Sequence, residues 1–327
     1  MLLKVLTLIL FLLFSISRVY SQDPYFSQYY NNQLSLNPAF SGEGDVYRTV
    51  LHYRNQWPQL GASFKTYAVA FDAPVELLQG GLGFQLLHDN QGGGMFSQTR
   101  GSLSYAYQLQ AGREFSINAG FEVSVLQYAF NPSNLILPDM IDGGGIPSLP
   151  ANETISQGTE YIPDFAFGMV AGFRQFYAGA AMHHLTKPEI SLFGTEDTRM
   201  NRKLTLHAGG NFIVGSRYSA NPLILSPNIL TQLQSGHNQI NYGVYLIKKP
   251  FFTGLWLRQN YNFGTSAIII SSGLRFRNYR LTYSYDQNIF NKQLKIPSFG
   301  SHEVTLLIEF EYKPKRKKFR AIKCPKI

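Results

Sequence analysis

The sequence predicts an all-β fold: a transmembrane antiparallel β-barrel of about 14 strands, with an N-terminal periplasmic or lumenal segment and a basic C-terminal tail. Three observations lead there. Ser301 to Tyr312 alternates with period two: Glu303, Thr305, Leu307, Glu309 and Glu311 share one face, and His302, Val304, Leu306, Ile308, Phe310 and Tyr312 share the other. The same alternation recurs along nearly the whole chain. Met1 to Ser21 reads as a secretory signal, and no other stretch approaches the roughly 18 consecutive apolar residues of a membrane helix.

The signal has Lys4 in its n-region, an apolar run from Val5 to Ile16, and a cleavage site after Val19-Tyr20-Ser21. No Cys follows the apolar run, which argues against a lipoprotein anchor. The domains expected are therefore a signal peptide over 1–21, a cap or plug segment over 22–45, the barrel over 46–312 and a basic tail over 313–327.

The formal charge of +9 is uneven. Setting aside Lys4, Arg18 and the eight cations of 313–327, which carry no carboxylate beside them, takes +9 to −1 for residues 22–312. A near-neutral exported body with a basic tail is not a nucleic-acid-binding domain, which needs a basic face. The 25 Phe and 20 Tyr suit the aromatic girdles of a barrel. The single Cys324 excludes an internal disulfide framework.

Alternation assigns strands to 46–57, 63–75, 80–90, 96–110, 114–130, 164–175, 176–188, 203–215, 221–235, 237–248, 251–260, 266–277, 279–290 and 301–312. An even count puts both termini on the periplasmic side of an outer membrane. Periplasmic turns are short and outward loops long, and the parity agrees. The long connections 131–163, 189–202 and 291–300 are all odd in order, and the tight ones at 111–113, 175/176, 249–250 and 277/279 are all even. The polar strand faces then line a lumen, including Arg100, Ser102, Ser104, Gln108 and Gln110, then Arg275 and Arg277, then Arg280, Thr282, Ser284 and Asp286.

Motifs for chemistry are scarce. His183 and His184 are neighbours on an expected strand and so face opposite sides, which excludes a joint metal site. There is no Gly-x-Ser-x-Gly elbow, phosphate loop or dinucleotide fingerprint. His88 to Gly94 lacks the spaced carboxylates of a calcium loop and reads as a hairpin turn. No catalytic, cofactor or metal site is expected.

Two segments outside the barrel are candidates for partner binding. Residues 22–45 are too polar for a core strand, yet dense in aromatics. Tyr25, Phe26, Tyr29 and Phe40 argue for docking, as a cap or partial plug at the periplasmic end of the lumen. The tail offers Lys315, Arg316, Lys317, Lys318 and Arg320 as an electrostatic handle for an acidic periplasmic partner, and Cys324 as a thiol for a partner disulfide in an oxidising compartment.

A family resemblance rests on these same stretches. Asp23-Pro24-Tyr25-Phe26-Ser27-Gln28-Tyr29, Leu36-Asn37-Pro38-Ala39-Phe40-Ser41-Gly42, Tyr53-Arg54-Asn55-Gln56-Trp57 and Arg320-Ala321-Ile322-Lys323-Cys324-Pro325 resemble the PorP/SprF family over essentially the whole mature chain. The resemblance implies an outer-membrane component of type IX secretion and gliding motility. Such a component assists export or surface anchoring of large adhesins, and is coupled to periplasmic lipoproteins or peptidoglycan-binding subunits. Its partners would be the outer-membrane bilayer, a secreted adhesin or that adhesin's C-terminal domain, and those periplasmic components. The alternatives are a passive porin or specific uptake channel, and a barrel enzyme such as a lipase, for which no nucleophile–base pair stands out.

Overall fold

The computed structural model describes residues 23–44, 46–59, 63–112, 114–134, 140–141, 157–190, 198–215, 219–235, 237–261, 265–289 and 300–311. Fourteen antiparallel strands close into a barrel. They are β1 Val46–Gln56, β2 Phe64–Val75, β3 Gly80–Gln91, β4 Phe96–Gln110, β5 Phe115–Phe130, β6 Gly158–Phe173 and β7 Phe176–His183. Then follow β8 (Lys203–Gly210, resumed at Phe212–Val214), β9 Leu223–Gln234, β10 His237–Lys248, β11 Phe251–Asn260, β12 Thr265–Phe276, β13 Tyr279–Asn288 and β14 Ser301–Glu311. Each strand pairs with its sequence neighbours, and β14 returns to β1 through eleven residue pairs, from Val46↔Glu311 to Gln56↔Ser301. Closure leaves no edge, so every strand has a hydrogen-bonded neighbour on each side, as a lipid environment demands.

The period-two faces separate as the sequence implies. On β14, Glu303, Thr305, Leu307 and Glu309 are buried inside, while Val304 and Phe310 face out. On β1, Arg48, Val50, His52 and Arg54 point in, with Leu51 out. The outward face is a continuous apolar surface, which suits lipid rather than water. Near the rim where β1 starts it carries Tyr47, Phe115, Phe173, Phe176, Phe251, Phe276 and Tyr279, one of the expected girdles.

Most boundaries match the alternation to within two residues, and three depart for physical reasons. β6 begins at Gly158, because Pro163 is accommodated opposite Val125 instead of ending the strand. β7 ends at His183, because His184 takes a left-handed conformation with φ 57°. β8 is interrupted at Asn211, whose N–H turns to the Gln175 carbonyl at 3.1 Å.

The residues expected to be lumenal are so with one exception. Arg100, Ser102, Ser104, Arg280, Thr282, Ser284 and Asp286 are buried, and Gln108 reaches inward to the Gly42 carbonyl. Arg277 instead occupies the β12–β13 turn at φ 51°, exposed over the Phe276 ring, where strand alternation has stopped. Gly92, Gly93 and Gly94, all at positive φ, form the β3–β4 turn as the hairpin reading requires.

Candidate functional site

The lumen is occupied by the chain itself. Residues 23–44 run inside the barrel, and most of them are buried. Local sequence sets their path. A single helical turn, Gln33–Leu36, is followed at once by a 3-10 turn, Pro38–Phe40. Between them Asn37 is extended (φ −159°, ψ 120°), and its side-chain oxygen accepts the Ala39 N–H at 2.9 Å. Pro38 starts the 3-10 turn where its missing N–H has no partner to lose. Gly42, at φ 63°, then redirects the chain towards β1.

At the mouth where β1 ends and β8 begins, Asp23 pairs with Lys203 Nζ at 2.6 Å and with His184 Nε2 at 2.7 Å. His184 Nδ1 contacts Asp164 at 2.8 Å. Burial works to raise the Asp23 pKa, but the charges of His184 and Lys203 hold it well below the carboxylate range. Burial works to lower that of His184, but the carboxylates of Asp23 and Asp164 raise it above the ordinary histidine value.

One layer in, the Tyr25 ring lies between the guanidinium groups of Arg54, 4.5 Å away, and Arg258, 4.7 Å away. Phe26 stacks on His52 with ring centres 4.0 Å apart.

Glu303 is the centre of the next layer. Its two carboxylate oxygens accept the backbone N–H groups of Ser27 at 2.9 Å and Gln28 at 2.7 Å. His52 Nε2 stands 2.7 Å from the same carboxylate, and Arg54 Nε 3.5 Å. The Ser27 hydroxyl bonds to Asp286 and accepts from Arg258. The Gln28 amide is fully engaged: it donates to Ser284 Oγ and to the Glu303 carbonyl, and accepts from Thr305 and Asn31.

Below this, Tyr29 and Tyr30 pack on Trp256, and Tyr30 meets Tyr245 edge-on at 4.5 Å. Towards the β1 start, Asn37 Nδ2 donates to the Met169 and Ala180 carbonyls, both at 3.1 Å, and lies 3.1 Å from His207 Nε2. Phe40 is fully buried beside His207. Arg48 joins the Asp72 carboxylate, Gln33 and the Phe40 carbonyl.

The wall is hollowed where the segment comes closest. A Cβ on Gly81 would stand 2.4 Å from the Gly42 Cα, and one on Gly168 would stand 2.0 Å from the Asn37 side-chain oxygen. A cavity of about 40 Å³ remains beside the segment, bordered by Asp23, Tyr25, Phe26, Arg100 and Lys203 among others. That is room for a water or two.

The four aromatic candidates Tyr25, Phe26, Tyr29 and Phe40 thus all lie in the lumen. The segment spans it from mouth to mouth, rather than sitting at the periplasmic end, so Asp23 and Glu311 lie at opposite mouths; the even strand count brings the barrel's own ends, Val46 and Glu311, to one side, but the start of the described chain does not share it as the expectation of two periplasmic termini required. The tail candidates Lys315, Arg316, Lys317, Lys318, Arg320 and Cys324 lie outside the described residues, as do the signal peptide and most of the loops 131–163 and 291–300. His183 and His184 do not face opposite sides: both are buried, because the left-handed turn at His184 swings its ring inward too. Among the described residues no group of three His, Cys, Asp or Glu could hold a metal ion.

Among the wall groups that grip the segment, Arg54 belongs to the Tyr53-Arg54-Asn55-Gln56-Trp57 motif and Asp286 is one of the expected lumenal positions; no motif marks the others. Glu303, His52 and Arg258 appear in sequence only as titratable groups on inward strand positions, and that placement is the signal that marks them.

The family model for the type IX secretion system membrane protein PorP/SprF matches residues 18–308. The chain belongs to the PorP/SprF family. As an outer-membrane barrel of that family it is embedded in the membrane and works among components of the secretion machinery. No curated protein matches it in sequence. The solved structures similar to it include the following three. The toluene transporter TbuX of Ralstonia pickettii has 11% identity and a TM-score of 0.47 over 86% of this chain and 94% of its own. The toluene transporter TodX of P. putida has 10% identity and a TM-score of 0.47 over 87% and 94%. A FadL homologue of Pseudomonas aeruginosa has 11% identity and a TM-score of 0.42 over 85% and 93%. At these scores no functional statement follows from the likeness.

Proposed function

We propose that this PorP/SprF barrel is a non-enzymatic accessory of type IX secretion that helps export or anchor a secreted adhesin, with residues 22–45 as a lumen plug and residues 313–327 as a periplasmic handle. The observation that carries this reading is the occupied lumen. A passive porin needs a water-filled path, whereas here Tyr25, Phe26, Gln28, Tyr29 and Phe40 fill the interior and meet the wall from mouth to mouth. A barrel closed to small solutes acts through its surfaces. Its outward loops would receive the partner's terminal domain, and its eight-cation tail would meet periplasmic lipoproteins or peptidoglycan-binding subunits. With the tail periplasmic, Asp23 and the odd connections face the cell exterior.

The experiment is a mild-detergent pull-down of the natively expressed protein with mass spectrometry, paired with conductance in planar bilayers. The reading expects a large secreted adhesin or secretion-system subunits in the eluate and a closed barrel in the bilayer. A partner-free barrel with steady conductance overturns it in favour of a porin. Deletion of the gene is expected to alter the surface proteome.

A further inference from the structure

Four cationic or histidine groups of the lumen wall each have a carboxylate partner on the wall itself. Arg48 lies 2.8 Å from Asp72, His52 2.7 Å from Glu303, Arg258 3.3 Å from Asp286 and Arg280 3.8 Å from Glu309. From Pro24 to Gly42 the segment carries no charged side chain. Stranding one member of a buried ion pair is what makes such pairs costly to break. Seating or removing residues 24–42 leaves each of these pairs together, and the charges of the segment lie at its two ends: Asp23 on Lys203 and His184 at one mouth, and Glu43 facing the charge of Arg48 towards the other.

The wall nevertheless reads the segment closely. Glu303 takes two successive backbone N–H groups, the Gln28 amide is bonded on both its oxygen and its nitrogen, and Asn37 is held by two wall carbonyls. Gly81, Gly120 and Gly168 leave room for its backbone and for one side chain. Main-chain hydrogen bonds that give affinity, joined to pockets that select side chains, are how proteins bind extended peptides.

We infer that the lumen is a sequence-selective peptide-binding site, and that residues 23–44 are its resident ligand, replaceable by a separate peptide of the same chemistry. That chemistry is a stretch with no charge between its two ends, in which aromatic residues are interleaved with Gln and Asn amides, as in Phe26-Ser27-Gln28-Tyr29-Tyr30-Asn31-Asn32. A partner segment of this type would enter the lumen when the resident one leaves. The inference rests on the plug reading above, and its test separates the two.

A protease recognition sequence replaces Asp45 in the full-length protein. The protein is folded in detergent and cleaved, and a fluorescent peptide of residues 23–44 is added. Saturable binding is expected, competed by unlabelled peptide and not by a scrambled one. A peptide carrying Gln28→Ala should bind at least tenfold more weakly, and Gly120→Val in the wall should abolish binding while the barrel stays folded. Equal binding of the scrambled peptide overturns the inference, as does retention of the cleaved segment without exchange. Loss of the heat-modifiable fold once the segment departs also overturns it, because a replaceable ligand is not needed to hold the wall. Conductance that rises on removal without peptide rebinding refutes the inference and leaves the plug reading standing.

Discussion

Gly120 on β5 lies directly under the backbone of Ala39: a methyl group added there would stand 2.3 Å from the Ala39 nitrogen. The neighbour is main chain, held by the Asn37 cap and by Asn118 on the Ala39 carbonyl, so it has little freedom to yield. Gly120→Ala is expected to destabilise the seated segment by about 1–3 kcal/mol, the usual range for overpacking. Limited proteolysis of residues 23–44 measures this. Gly101→Ala is the control, since its Cβ would meet nothing within 4 Å, and protection is expected to be unchanged.

Glu303 binds the segment and the wall at once. Glu303→Gln keeps the shape but removes the charge beside His52 and Arg54 and one of the two acceptors for the Ser27 and Gln28 N–H groups. Disrupting a buried pair costs about 3–5 kcal/mol, and here Asp286, 3.7 Å from Arg54, retains part of the compensation. The expected result is early release of residues 23–44 in a denaturant series, before the strands unfold. Coincident transitions in variant and parent would remove Glu303 from the anchoring role.

The Asp23 contact is expected to depend on pH with a definite sign. Asp23 has a lowered pKa, so its contribution is present above the ordinary value of 3.8 and lost as pH falls through the depressed one. His184 has a raised pKa, so its contribution is complete below the ordinary 6.5 and lost as pH rises through the elevated one. With Asp164, Lys203 and His183 close by, the anchor is tightest between these ordinary values and loosens on the alkaline side. Protease cleavage near Asp23 should increase as pH rises above the ordinary histidine value of 6.5, and His184→Gln should flatten that rise.

Truncation after Tyr312 removes eight cations and no strand residue. The shortened protein is expected to keep heat-modifiable mobility and to lose its periplasmic partners in a pull-down, the parent's capture being strongly salt-dependent. Failure to insert would make the tail an assembly signal instead.

Much of this fold was legible because strand alternation is local. Leu306 and Leu307 must face opposite ways whatever surrounds them, and the connection parity that follows needs no tertiary knowledge. The departures were set by tertiary contacts. Pro163 looks like a strand breaker until it is seen opposite Val125, and His184 reads as strand until its backbone takes φ 57° between two carboxylates. The aromatic candidates were visible from composition. Their receiving groups were not, since Gly120, Gly168 and Glu303 acquire meaning only from residues more than 80 positions away along the chain.

The β14–β1 seam has a consequence for the order of assembly. Glu303, on the last strand to be synthesised, receives Ser27 and Gln28, close to the start of the described chain, and the same strand zips to β1, which that start leads into. Seating the segment and sealing the cylinder therefore depend on one late event. A chain cut short before Ser301 lacks the carboxylate that takes the Ser27 and Gln28 N–H groups, and its residues 23–44 stay open to periplasmic proteases.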